Sequence, residues 1–339
     1  MTDRGNLADA FVASTDWAGA NRKPLAGDAS NRRYERLHLR GKSAVLMDAP
    51  TEKGEDIRPF VRIARYLSGL GLSAPQILAM DEGHGFLLLE DLGDDLFARV
   101  IPREPELEQS LYEAATDVLL HLHRAPPPTD LRAYDGPIML DMAALAWRWY
   151  LGAALPEDPV SEEAFRNAFA PIIGHHAGET PVLIQRDYHA ENLIWLPERA
   201  GPARVGLLDF QDAMKGHPAY DLVSVLQDAR RDVPPAIEDR MIARYVAATG
   251  QDETTFRASY AVLGAQRNLR ILGVFGRLCL LNGKSHYVDL IPRVWDLLMR
   301  DLQHPALAPV AGIIKDVLPT PTTDILGRIK EKCATVPKP

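Results

Sequence analysis

A chain of 339 residues, 46% hydrophobic and 25% charged, has enough apolar material for one large bilobal domain or two modest ones. Its net charge of -8 and pI near 5.7 argue against a nucleic-acid or anionic-membrane surface, which needs a basic field. No window approaches the roughly 20 apolar residues of a membrane span, the stretch MTDRGNLADAFVAS has no apolar core after its charges, and Cys279 and Cys333 form no CxxC pair. The expectation is a soluble cytoplasmic protein without a disulfide framework or zinc site. Composition leaves the oligomeric state open, with a monomer as the default.

The first part reads as β-rich. AGDASNRR (26–33) is loop-like, and YERLHL (34–39) and AVLM (44–47) flank a Gly41-Lys42 turn as strands. Ile57, Phe60, Val61, Ala64 and Leu67 fall at helical spacing, closed by Gly69 and Gly71. FLLLE (86–90) is continuous and apolar, as a buried strand is, and runs into Asp91, Leu92 and Gly93, where the composition changes. This predicts a domain break near residue 92, separating 1–92 from 93–339. Leu107, Leu111, Ala115, Val118, Leu119 and Leu122 then mark a long amphipathic helix. Further helices are expected at 141–153, 161–174, 219–230, 235–249, 252–282 and 286–303. The aromatic run AWRWY (146–150) reads as a packed helix face, with sugar stacking as the alternative.

The most informative stretch is LIQRDYHAENLIWL, 183–196, a polar run between two short apolar ones. Strand, loop, strand is the reading, with Asp187 and Asn192 five residues apart, the spacing at which kinase-like catalytic loops present a base and a magnesium ligand. VGLLDFQDA (205–213) follows after the short PERAGPA turn and delivers Asp209 at the polar end of another apolar run. A hairpin of the two would bring Asn192 and Asp209 side by side. Magnesium prefers oxygen ligands, commonly one or two carboxylates completed by substrate phosphates, and Asp187 is then left to take the proton of an acceptor hydroxyl.

D-x-H-x-x-N followed by L-D-F-Q resembles the aminoglycoside phosphotransferase and choline-kinase-like family, bilobal relatives of protein kinases. LLLEDLG (87–93) is similar to that family's hinge, which carries adenine-binding backbone groups, and HPAYDLVSVLQD (217–228) to the helix after its metal-binding loop. More narrowly, ASNRRYERL, MDAP, LLLEDLG, DYHAENL and LLDFQDA with YDLVS resemble bacterial kinases acting on the anomeric hydroxyl of N-acetylmuramate and N-acetylglucosamine in cell-wall recycling. The resemblance implies an α+β, protein-kinase-like fold with a small β-rich N-lobe (1–92) and a larger helical C-lobe (93–339). It also implies ATP and Mg2+, an aminosugar acceptor, Asp187 as base, and Asn192 and Asp209 as metal ligands. Gly27, Asp28, Ser30 and Asn31 would cover the nucleotide phosphates, with Glu90 and Leu92 in the hinge. Gln211, Asp212 and Arg267 are acceptor-side candidates. Choline, homoserine or aminoglycoside acceptors, and a non-catalytic nucleotide-binding module, are the alternatives.

Two positions depart from the pattern. Met47 stands where the strand lysine that pairs the α and β phosphates is expected, and Gln185 replaces the catalytic-loop histidine. Arg32, Arg33 and Arg36 offer replacement cations, with Arg33 favoured and Lys42 as runner-up. Glu55 or Asp56 would be the counterpart of the kinase glutamate, although acids are common at helix starts. Asp221 is expected to tie the catalytic loop and His189 to brace it. Surface salt bridging is the plainer expectation for Arg267 and Arg270.

Overall fold

The computed structural model describes residues 4–25, 31–155, 159–179 and 181–337. In chain order it contains α1 (Arg4–Ala13), β1 (Asn21–Pro24), β2 (Arg33–Leu39), β3 (Lys42–Asp48), α2 (Arg58–Gly69), β4 (Ile77–Asp81), β5 (Phe86–Glu90), α3 (Phe97–Arg103) and α4 (Glu108–Leu122). Then follow α5 (Gly136–Ala143), a π-helical turn over Ala146–Leu151, α6 (Gly152–Ala154), α7 (Pro159–His176), β6 (Val182–Ile184), β7 (Leu193–Trp195), β8 (Val205–Leu207) and β9 (Met214–Gly216). The rest is helical: α8 (Ala219–Leu226), α9 (Pro235–Thr249), α10 (Glu253–Asn282), α11 (Ile291–Asp301), α12 (Ala308–Val317) and α13 (Thr323–Glu331). No described helix is long and apolar enough to cross a membrane.

The chain divides into two compact units, Met1–Leu122 with Ala190–Ala213, and His123–His189 with Met214–Pro339. This partition differs from a break at residue 92. Main-chain contacts carry the next segment into the first unit: Leu96 bridges Ile194, and the Trp195 N–H donates to the Asp95 carbonyl at 2.7 Å.

The first unit is built on a five-stranded antiparallel sheet in the order β1-β2-β3-β5-β4. Arg40 and Gly41, both at positive φ, make the tight β2–β3 turn. Strand alternation sends Leu37, Ala44, Leu46, Phe86 and Leu88 to one face, where Phe11 and Val12 of α1 cover them. Arg4 anchors α1 by pairing with Asp48 at 2.6 Å, its guanidinium lying over the Phe86 ring. The hairpin of β7 and β8 joins this unit through a parallel bridge between Ser73 and Gly206.

In the second unit, helices gather around α10, a 30-residue helix whose length of about 45 Å follows from the helical rise. Asp252 caps its start by accepting from the Thr255 N–H at 2.8 Å. Gly273 and Gly276 permit a close approach by the π-helical turn: a Cβ on Gly273 would lie 2.3 Å from the Leu145 carbonyl carbon, and one on Gly276 2.4 Å from the Trp149 carbonyl oxygen. AWRWY is a packed face, since Trp147 stacks on Phe165 with centroids 4.2 Å apart and donates to Ser161. Helix α10 ends at Gly283 (φ 70), and the tail returns to it. The N–H groups of Ala334 and Val336 donate to the carbonyls of Cys279 and Leu280, and Cys333 Sγ approaches the Cys279 carbonyl at 3.2 Å. Cysteines 54 positions apart in sequence are therefore neighbours, both as free thiols.

Candidate active site

In the first unit the β7–β8 hairpin forms as the turn PERAGPA predicts. Leu193 pairs with Leu207, and the Leu208 N–H donates to the Asn192 carbonyl at 3.0 Å, so Asn192 and Asp209 occupy adjacent strand ends. Asp209 sits at φ 56, a left-handed conformation uncommon for a side chain other than glycine. The Gln211 amide donates to its Oδ1 at 2.6 Å and orients the carboxylate. An amide oxygen and a carboxylate are hard donors that suit magnesium. Among the described residues no group of three or more His, Cys, Asp or Glu side chains is placed to hold a metal ion. Phe210, next to Asp209, packs on Phe60 of α2 with centroids 4.9 Å apart.

Met47 is fully buried, opposite Tyr34 on one side and Leu87 on the other. Of the nearby cations, Arg33 is exposed at the start of β2, opposite Asp48. Arg36 is held by Asp91 and Asp94 at 2.8 and 2.6 Å, and those carboxylates raise its pKa. Lys42 is exposed at the turn end of β3. Arg32 pairs with Glu55 at 2.9 Å, and Glu55 also accepts from the Asn31 N–H at 3.1 Å. Asp56 instead pairs with Arg58. In the stretch expected to be the hinge, β5 stops at Glu90, whose side chain pairs with Arg199 at 2.6 Å. Strand pairing ends there, ahead of the half-buried Leu92. The expected phosphate-loop residues Gly27, Asp28 and Ser30 lie outside the described residues.

In the second unit β6 pairs with β9 and leads into Gln185, Arg186 and Asp187. Arg186 adopts φ 72, and the buried Asp221 carboxylate accepts from the N–H groups of Gln185 at 2.6 Å and Arg186 at 2.9 Å. Asp221 is the loop's tie, as its place at the start of α8 suggested. Burial pushes its pKa up to about 7 against the pull of those two donors. The Arg186 guanidinium lies over the Tyr134 ring.

His189 is buried, with its Nε2 3.3 Å from Nη1 of Arg230, and burial drops its pKa to about 4. That contact selects the neutral tautomer with its proton on Nδ1, because an arginine can only donate. Arg267, expected at the surface, is 3% exposed. Sequence could not reveal this, since α10 is buried around most of its circumference and offers no polar face to place it on. The carboxylates of Asp228 and Asp187 partly offset the burial that lowers the Arg267 pKa. Asp228 and Arg230 were not singled out by sequence; their one signal is position, Asp228 as the last residue of the motif HPAYDLVSVLQD and Arg230 two residues beyond it. Asp212 is exposed.

A family model described as "Phosphotransferase enzyme family" matches residues 21–259. A protein of Caulobacter vibrioides named N-acetylmuramate/N-acetylglucosamine kinase is 40% identical, with 95% of this chain and 98% of that one covered. A protein of Pseudomonas aeruginosa with the same name is 33% identical, with 86% and 87% covered. Among solved structures, a choline/ethanolamine kinase family protein from Mesorhizobium loti shares the fold at a TM-score of 0.62 and 13% identity, with 93% of this chain and 100% of that one covered. Asp187, Asn192 and Asp209 all fall inside the matched span, and the chain belongs to the phosphotransferase enzyme family of small-molecule kinases.

Proposed function

We propose that this chain transfers the γ-phosphoryl group of ATP to the anomeric hydroxyl of N-acetylmuramate and N-acetylglucosamine, as a cytoplasmic enzyme of peptidoglycan recycling. The observation that carries the reading is 40% identity across nearly the whole length of a relative bearing that name, with the acid, amide and second acid all present. Asp187 takes the proton of the acceptor hydroxyl, whose oxygen bonds to the γ-phosphorus as the bond to the ADP oxygen breaks. Asn192 and Asp209 hold magnesium, which when bound neutralises charge on the phosphates. Gly27, Asp28, Ser30 and Asn31 cover those phosphates, and the backbone at Glu90 and Leu92 meets the adenine. Gln211 orients Asp209, while Asp212 and Arg267 belong to the acceptor side. On this reading 1–92 handles the nucleotide, and 93–339 carries the catalytic loop, metal site and acceptor pocket.

Magnesium-dependent ADP release is the test, across N-acetylmuramate, N-acetylglucosamine, choline, homoserine and kanamycin. Turnover on the two aminosugars, lost by about 10²- to 10⁴-fold in Asp187→Asn with ADP affinity kept, is expected. Turnover confined to choline, homoserine or kanamycin would overturn the acceptor assignment, and ADP binding without turnover on any acceptor would favour a non-catalytic module.

A further inference from the structure

Phosphoryl transfer in a kinase-like site needs a cation on the α and β phosphates, paired with a glutamate near the first-lobe helix. Met47 supplies none. Resting on the kinase reading above, we propose that Arg32, braced by Glu55, is that phosphate-binding cation.

The sheet register separates the candidates. Tyr34 lies opposite Met47, and continuing the alternation one residue beyond the start of β2 puts Arg32 on the Met47 side. Arg33 and Glu35 lie opposite Asp48 and Leu46, on the face that α1 covers, so Arg33 points away. Arg36 is committed to two carboxylates, and Lys42 is five residues along β3 from Met47, about 17 Å at the usual strand rise.

Glu55 does for Arg32 what the helix glutamate does for the strand lysine. One oxygen binds Nε of Arg32 and the other takes the Asn31 N–H, which fixes both the guanidinium and the backbone that carries it. The two side chains are only 12% and 14% exposed, so the pair is shielded from water and little screened by salt. Binding at Nε sets the plane of the guanidinium, whose fork geometry matches phosphate oxygens. The brace is also joined to the metal site. Glu55 precedes α2, and Phe60 on that helix packs against Phe210, the neighbour of Asp209. The cation has in effect moved from β3 to the residue before β2, and its acidic partner from the helix to the segment just ahead of α2.

Calorimetry of full-length protein with ADP plus magnesium, and separately with adenosine, distinguishes a phosphate contact from a structural ion pair. Arg32→Ala is expected to weaken ADP by ~10- to 100-fold and to leave adenosine within about twofold, with Arg33→Ala within about twofold on both. Unchanged ADP affinity in Arg32→Ala, or equal losses for ADP and adenosine, overturns the assignment and leaves the kinase reading standing. Failure of the unaltered protein to bind ADP would overturn both.

Discussion

Arg186 holds a backbone conformation that costs a non-glycine residue roughly 1–3 kcal/mol, one position before Asp187. The Asp221 carboxylate offsets that cost by accepting from the two N–H groups on either side of the Gln185–Arg186 link. Asp221→Ala leaves both donors without their acceptor, at about 1–3 kcal/mol for the buried Gln185 N–H and less for the partly buried Arg186 N–H. The expected result is a thermal midpoint lowered by several degrees and turnover lowered at least about tenfold. Calorimetry and a kinetic assay on the same preparation check it, and an unchanged midpoint would refute the tie. Asp187, Asn192 and Asp209 stood out in the sequence as candidates because their spacing and flanking apolar runs are local. Arg32 and Glu55 were only suspects, since they stand 23 positions apart and nothing in sequence says which acid meets which arginine.

Elements were legible where the pattern was their own. The β7–β8 hairpin, α9 and α10 follow from turn chemistry and helical period. Helix α1 was missed because few of its residues are buried, and edge strand β4 because it exposes Leu78 and Met80. The partner of β6 is Met-Lys-Gly at 214–216, a tripeptide with no β-branched or aromatic residue and no strand signal of its own, which pairs because the chain returns to that place. The π-helical turn depends on glycines in a different helix. Gly273→Ala pushes a methyl into the Leu145 backbone, which is unable to retreat as a flexible side chain would. Urea unfolding is expected to show a loss of about 1–3 kcal/mol or more, whereas Gly312→Ala, with nothing within 4 Å of its added Cβ, is expected to be neutral or mildly stabilising.

Across the whole molecule, burial sets a pH dependence that composition does not disclose. Burial holds His123 at about 3 and His189 and His217 at about 4, against an unfolded value near 6.5. Their contribution is present above pH ~6.5 and is lost as pH falls toward 4. Asp221 at about 7 and Asp301 at about 8 run the other way: folded, they keep protons that the unfolded chain releases near pH ~4. Stability from these carboxyls therefore declines as pH rises toward 8, and above ~6.5 the histidines no longer oppose them. Asp301 is buried with Gln227, Asn268, Arg300 and Glu238 around it. The expected outcome is a thermal midpoint that falls between pH 6.5 and 8.5, and falls less in Asp301→Asn, which has no carboxyl to release a proton on unfolding. A rising midpoint over that range would contradict the assignment.

The return of the tail to α10 has a practical side. Cys333, half-buried, is part of the stopper on the last turn of a 30-residue helix whose carbonyls its neighbours Ala334 and Val336 also fill. A maleimide dye or a resin coupled at that thiol would prise the stopper loose, so immobilisation and fluorescence work are better served by a Cys333→Ser protein labelled elsewhere.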